Sequence, residues 1–437
     1  MPVLHKAVTV SRNFMVNSKS LVSAVVLCMF SIVAYGQDHI KRYVRAHTVQ
    51  ISSIDPSSTG YSDFEPIGNA IGNASIVMLG EQDHGDAAAY LAKTKLIKYL
   101  HEKKGFDVLA FESDFFSLNE GWEQLKKEKI EIDLFLKSNI YPIWSLCNAC
   151  STLLYHYIPS TYKSSRPLEI TGFDSDLVLD YSSKNLIFRL DSVIRYLQLP
   201  IVKDGTYGNQ IRPVLDSLKF GFSSILDTSF YKKSVVCLQA IKRQMEDKLP
   251  EDDFWMQVID NLISSNINYQ TRNTDIIRSF NARDSQMAQN LSWLSRVKFP
   301  GKKMIIWAAN THIAKSKDTL VLNKSGQGFT SMGAYFTRDS SRLKNCYILG
   351  FTSYSGKAGR LTESEFNIPI PLANHFEAWI DTAYQYAFID FEIFNQAHST
   401  INKPFYLKGF LHFPERENWT KLFDGIFYIK DMYSCEQ

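Results

Sequence analysis

Apolar runs that stop at ionisable residues are the dominant pattern in the chain. Ile76-Val77-Met78-Leu79 leads into Gly80, Glu81 and His84; Val108-Leu109-Ala110-Phe111 leads into Glu112 and Asp114. Between them Leu91, Leu96, Ile97 and Leu100 recur at helical spacing. Asp86 stands where it can cap that helix, Ala87 to Ala89 favour it, and Gly105 stops it. The pattern predicts a β-α-β unit with a right-handed crossover. Leu168 to Phe173 is a third strand-like run ending at Asp174, and Met304-Ile305-Ile306-Trp307 a fourth, followed by Ala308, Ala309, Asn310, Thr311 and His312. Cys346 to Phe351 reads as a further strand. In a parallel sheet these run ends share the carboxyl edge, where ligands bind.

The expected fold class is α/β, a mainly parallel sheet flanked by helices with an α-helical insertion. Residues 37–176 read as the first part of the core, with residues 116–165 mainly helical. Residues 177–296 read as an insertion of four or five helices, because apolar spacing is helical throughout, as in Leu186, Ile187, Leu190, Val193, Ile194 and Leu197. Residues 297–437 read as the second part of the core. Beyond residue 352 the chain is expected to be loop-rich and aromatic, apart from a hydrophobic stretch from Leu422 to Ile429. No internal repeat or low-complexity tract is visible.

The first 36 residues read as an export leader. Lys6, Arg12 and Lys19 supply positive charge, Leu21 to Val33 is apolar, and Ala34-Tyr35-Gly36 offers small residues for cleavage. The alternatives are a retained membrane anchor or lipidation at Cys28. Without those residues, Lys+Arg and Asp+Glu number 45 each. A neutral balance argues against a nucleic-acid partner. No later run is long enough for an integral membrane segment. Five cysteines remain, an odd number. Cys147 and Cys150 form a Cys-x-x-Cys without a second such pair, and neighbouring leucines suggest that both thiols simply pack. Nothing in the sequence sets an oligomeric state.

There is no Gly-x-Ser-x-Gly elbow, phosphate-binding glycine loop or His-Glu-x-x-His. What remains is His84 and His312 with Glu81, Glu112 and Asp174, brought towards one edge by the strands. A histidine is a suitable base near neutral pH, and a carboxylate can fix its tautomer. Taken singly, Asp174 could instead bond turn amides and Lys93 could be a solvated charge.

At these residues the chain resembles the erythromycin esterase family. Gly80, Glu81, His84 and Gly85 fit its Gly-Glu-x-x-His-Gly; Lys93 and Glu112 fall at its basic and acidic positions. Arg283-Asp284 to Trp293-Leu294 looks like the helix before its tryptophan strand. Trp307 to His312 is similar to its Trp-Ala-His-Asn-x-His, with Ala309 in place of the first histidine. Ser331-Met332-Gly333 and Phe423-Asp424-Gly425 fit as well. The resemblance implies hydrolysis of a small-molecule ester or lactone by histidine-assisted attack of water, without a cofactor or metal. It implies His84, Glu81, Glu112 and His312 as catalytic residues. His84 would be the base, Glu81 and Glu112 would orient it or the water, and His312 would donate to the leaving oxygen. Lys93 and Asn310 would bind substrate, Lys93 stabilising developing negative charge. Two alternatives are a metallohydrolase with Glu81, His84, Glu112 and His312 as ligands, and a non-catalytic ligand-binding protein, which Ala309 favours.

Overall fold

The computed structural model describes residues 39–58, 60–218, 228–315, 328–398 and 404–437. The leader expected over residues 1–36 lies outside them. Strands β2 (Ile76–Leu79), β3 (Phe106–Asp114), β4 (Glu169–Asp174), β5 (Lys303–Trp307) and β6 (Cys346–Ala358) fall where the apolar runs predict. With β1 (Val49–Ile51), β8 (Tyr386–Asp390) and β11 (Gly425–Met432) they form one sheet, in the order β4-β3-β5-β2-β6-β11-β8-β1. A short β7 (Phe366–Asn367) pairs with the end of β6. Neighbours from β4 to β11 are parallel; β8 is antiparallel to β11, and β1 to β8.

The apolar runs are continuous because both faces of the sheet are covered. Ile76, Met78, Met304 and Ile306 enter a core on one face, whereas Val77, Leu79, Ile305 and Trp307 enter a core on the other. Helix α1 (Ala87–Lys104) connects β2 to β3 and ends at Gly105, whose φ of 77° is the left-handed conformation that glycine adopts without a Cβ penalty. The helices over 177–296 include α2 (Asp180–Tyr196), α3 (Thr228–Glu246), α4 (Phe254–Thr271) and α5 (Ile276–Trp293). Leu186 of α2, Leu238 of α3, Leu262 of α4 and Met287 of α5 share the core with Ile76 and Met78. Among the described residues, no helix is long and apolar enough to cross a membrane.

Two expectations are corrected. The chain beyond residue 352 is not mainly loop. Strand β6 runs on to Ala358, β8 and β11 extend the sheet, and β9 (Phe405–Phe410) pairs with β10 (Phe413–Glu417) as a hairpin. Its aromatic residues are strand formers: Phe388, Phe405, Phe410 and Phe427 are all buried. Cys147 and Cys150 do not both pack as thiols. Cys147 forms a disulfide with Cys435, 288 residues away, while Cys150 is free and buried. A partner so distant is set by the fold, not by local spacing.

Candidate active site

The loop after β2 builds one half of the site. Gly80 has to be small, since a Cβ there would lie 1.8 Å from Asn310 Oδ1. Glu81 follows and is fully buried. Its Oε1 accepts from His84 Nδ1 at 3.0 Å and from Trp144 Nε1 at 3.1 Å. Its Oε2 accepts from Lys93 Nζ at 2.5 Å. Lys93 reaches it from α1 and lies 3.9 Å from the centre of the Trp307 ring. Burial pushes the Lys93 ammonium down from its ordinary range, against the pull of Glu81. The Trp144 ring meets the His84 imidazole edge-on at 5.4 Å. With Nδ1 donating to Glu81, His84 is left with Nε2 as its acceptor.

Asp86 stands at the start of α1 but caps it with no side-chain bond. Its carboxylate accepts from the Asp83 amide at 3.1 Å and meets His412 Nε2 at 2.8 Å. Asp83 in turn accepts from Arg360 Nη2 at 2.7 Å and from the His84 amide at 2.8 Å. The hairpin tip Leu411-His412 grips the same loop, with Leu411 N donating to Gln82 O at 3.1 Å. Both tip residues have positive φ, 50° and 60°. A two-residue hairpin of this twist favours glycine or asparagine, so the tip is strained where it meets the site.

The other half comes from β3, β5 and α5. One extra residue bulges β3 against β4 between Phe111 and Asp114, where Glu112 sits. Glu112 Oε2 accepts from the Ala309 amide at 3.1 Å, and Oε1 from Arg283 Nη2 at 2.9 Å. Burial opposes its ionisation, but His312, Arg283 and His84 outweigh it and bring its pKa down to about 2. Arg283 also forms a two-pronged pair with Asp174, at 3.0 and 2.6 Å. His312 Nδ1 donates to Asp284 Oδ1 at 2.8 Å, and Nε2 lies 3.3 Å from Glu112 Oε1. Burial and Arg283, whose Nη1 lies 3.2 Å from Nε2, favour the neutral ring, yet Asp284 and Glu112 prevail and raise its pKa to about 9. The two carboxylates thus favour the imidazolium form of the ring.

The two halves meet at a cavity of about 400 Å³. His84, Arg283, Ala309 and His312 line it, beside an apolar wall that includes Ile276, Phe280, Phe329 and Leu411. Glu81 and Glu112 do not line the cavity: Glu81 holds His84, whereas Glu112 is bonded to Arg283 and the Ala309 amide, beside His312 rather than against His84. Lys93 and Asn310, expected at the substrate, are buried away from the cavity lining. Lys93 is committed to Glu81. Asn310 Nδ2 donates to Phe351 O at 2.8 Å and Gly409 O at 2.7 Å, and Oδ1 accepts from Phe351 N at 3.1 Å. It ties the strand-end loop to β6 and β9. The four residues considered as metal ligands fall into two groups, and each carboxylate already faces a cation. Among the described residues, no three His, Cys, Asp or Glu side chains are arranged to hold a metal.

Sequence reading did not single out Trp144, Asp284, Arg360 or His412 as site residues. Arg283 and Asp284 did carry a signal, as an adjacent opposite-charge pair on a helix before the Trp307 strand. Trp144 and His412 carried none, because only the fold brings them to the loop.

A family model described as erythromycin esterase matches residues 101–432. YbfO of Bacillus subtilis (strain 168), named as a presumed hydrolase, is 24% identical over 362 residues, which cover 77% of this chain and 79% of the relative. Erythromycin esterase type II of Escherichia coli is 24% identical over 325 residues, covering 69% and 74%. Among solved structures, a Bacillus cereus protein superposes with a TM-score of 0.68 at 18% identity, covering 92% of this chain and 99% of that one. A mutant erythromycin esterase in its open conformation superposes with a TM-score of 0.64 at 17% identity, covering 89% and 98%. At such identities the superpositions speak for the fold alone.

Proposed function

We propose, from the premise that the chain belongs to the erythromycin esterase family, that this hydrolase cleaves an ester or lactone by histidine-assisted attack of water. The observation that carries the reading is a pair of histidines on one cavity, each anchored through Nδ1 by a buried carboxylate: His84 by Glu81 and His312 by Asp284.

His84 Nε2 takes a proton from water as the oxygen attacks the carbonyl carbon. The imidazolium that forms is stabilised by Glu81, which Lys93 and Trp144 hold in place. His312, whose proton affinity Asp284 and Glu112 raise, supplies a proton to the leaving oxygen. Arg283 adds positive charge beside the cavity, where negative charge develops on the carbonyl oxygen. Lys93 acts through Glu81 rather than on the substrate. Acid–base assistance of this kind contributes about 10²–10⁴-fold.

The apolar wall fits a small molecule with an apolar portion next to its ester. The leader-like first 36 residues support export, which N-terminal sequencing of the mature protein tests by a start at residue 37. The reaction is tested with a panel of aliphatic, aromatic and macrocyclic esters and lactones. Turnover should rise with apolar bulk until the cavity is filled. Absence of hydrolysis across the panel would defeat the reading.

A further inference from the structure

The C-terminal segment runs beneath the loop that carries Glu81 and His84. Ala87 N donates to Tyr433 O at 3.0 Å, and Cys435 N to Gly85 O at 2.8 Å. An isolated bridge joins Asp86 to Ser434. On its other side the segment meets the stretch that carries Trp144: Asn148 N donates to Glu436 O at 2.9 Å, and Cys147 is bonded to Cys435. Cys147 N donates to Trp144 O at 3.2 Å, and Trp144 Nε1 donates to Glu81 at 3.1 Å. Trp144 also backs the His84 ring. A closed circuit therefore runs from Glu81 and His84 through Gly85 and the tail, across the disulfide to Cys147, and back through Trp144.

From this circuit we propose that the Cys147–Cys435 disulfide and segment Tyr433–Glu436 are a positioning element for Glu81 and His84, so that hydrolysis depends on this bond being oxidised. The proposal rests on the catalytic reading of His84 above. Without the bond, the tail is held to the loop by a few exchangeable hydrogen bonds, and Trp144 loses its covalent link to the tail. A dithiol reductant would deliver two electrons and two protons to the bond, leaving two thiols and one oxidised dithiol. Cys150, three residues from Cys147, does not substitute for Cys435 as a partner. It is fully buried, and burial pushes its thiol up, away from the thiolate that exchange requires.

A disulfide that only stabilised the fold would act through the unfolded chain and shift the melting temperature. A positioning element changes the native site well below that temperature. The test uses the full mature chain with Cys150, Cys237 and Cys346 changed to Ala, oxidised, reduced and reoxidised, alongside Cys435→Ser. Amide hydrogen exchange should accelerate in residues 80–90 and 144–148 on reduction and remain unchanged in β3 and β5. On an ester turned over by the oxidised form, kcat should fall about 10- to 100-fold, the cost of a small misplacement. KM should stay within about twofold and reoxidation should restore kcat. Unchanged exchange in residues 80–90 overturns the positioning role whether or not an ester is turned over. So does a rise in exchange across the whole chain, which would mark a structural bond. If the oxidised form hydrolyses no ester while exchange responds as stated, the catalytic reading fails and the positioning of the loop stands.

Discussion

Replacing Asp284 with Asn tests the electrostatics of the site. The imidazole of His312 keeps its proton up to about pH 9, against an ordinary value of 6.5. Each factor of ten in proton affinity is worth about 1.4 kcal/mol, so the folded site favours the imidazolium by about 3 kcal/mol. Burial and the neighbouring Arg283 work against this; Asp284 and Glu112 overcome them. Because the folded value is raised, this stability is complete below about pH 6.5 and is lost as pH rises through about 9. Asn keeps the shape and still offers an oxygen to the Met332 amide, which donates to Asp284 at 2.8 Å, but it carries no charge. The alkaline limb of the kcat profile should move acidward by about one pH unit or more, the displacement that ~1.4 kcal/mol produces. NMR titration of the His312 ring should move with it. If neither moves in the folded variant, His312 does not owe its proton to Asp284; if the titration moves and the limb does not, His312 is not the acid.

Glu112 has the opposite linkage. Its folded pKa is lowered to about 2 from 4.5, so its contribution is present above about pH 4.5 and disappears as pH falls towards 2. Acid unfolding of Glu112→Gln, compared with wild type, should show less dependence on pH in that window. Gly80→Ala should lower stability by about 1–3 kcal/mol, seen in denaturant unfolding, because its Cβ would collide with Asn310 Oδ1 at 1.8 Å. Ala309→His places a third histidine, beside His84 and His312, on the cavity lining. It should raise turnover of macrocyclic esters relative to small ones, a ratio read from paired kcat/KM values.

The parallel half of the sheet was legible because its strands are buried on both faces and read as uninterrupted apolar runs. Their ends then placed Glu81, His84, Glu112 and His312 on one edge, as the structure has them. The antiparallel half was missed. Strand β8 lies in an aromatic stretch that reads as loop, and the separate hairpin of β9 and β10 meets at a two-residue tip, Leu411-His412, that lacks the usual glycine or asparagine. Periodicity says which residues are buried but not which neighbour they face. Lys93 and Asn310 therefore read as substrate-facing groups, although each spends its polar atoms inside the protein. Trp144 and Cys435 reach the site from elements distant in sequence, and nothing local marks them as its parts; Asp284 is marked only by its adjacent opposite charge, Arg283.

The central claim is that His84 is the base, and the rate of ester hydrolysis by His84→Ala tests it most directly. The side chain is part-exposed, with 20% of its surface accessible, so its removal should leave the circular dichroism spectrum and melting temperature close to wild type. The rate constant kcat should fall about 10²- to 10⁴-fold on any ester that wild type cleaves. A folded His84→Ala protein that turns over the same ester at the wild-type rate would contradict the account.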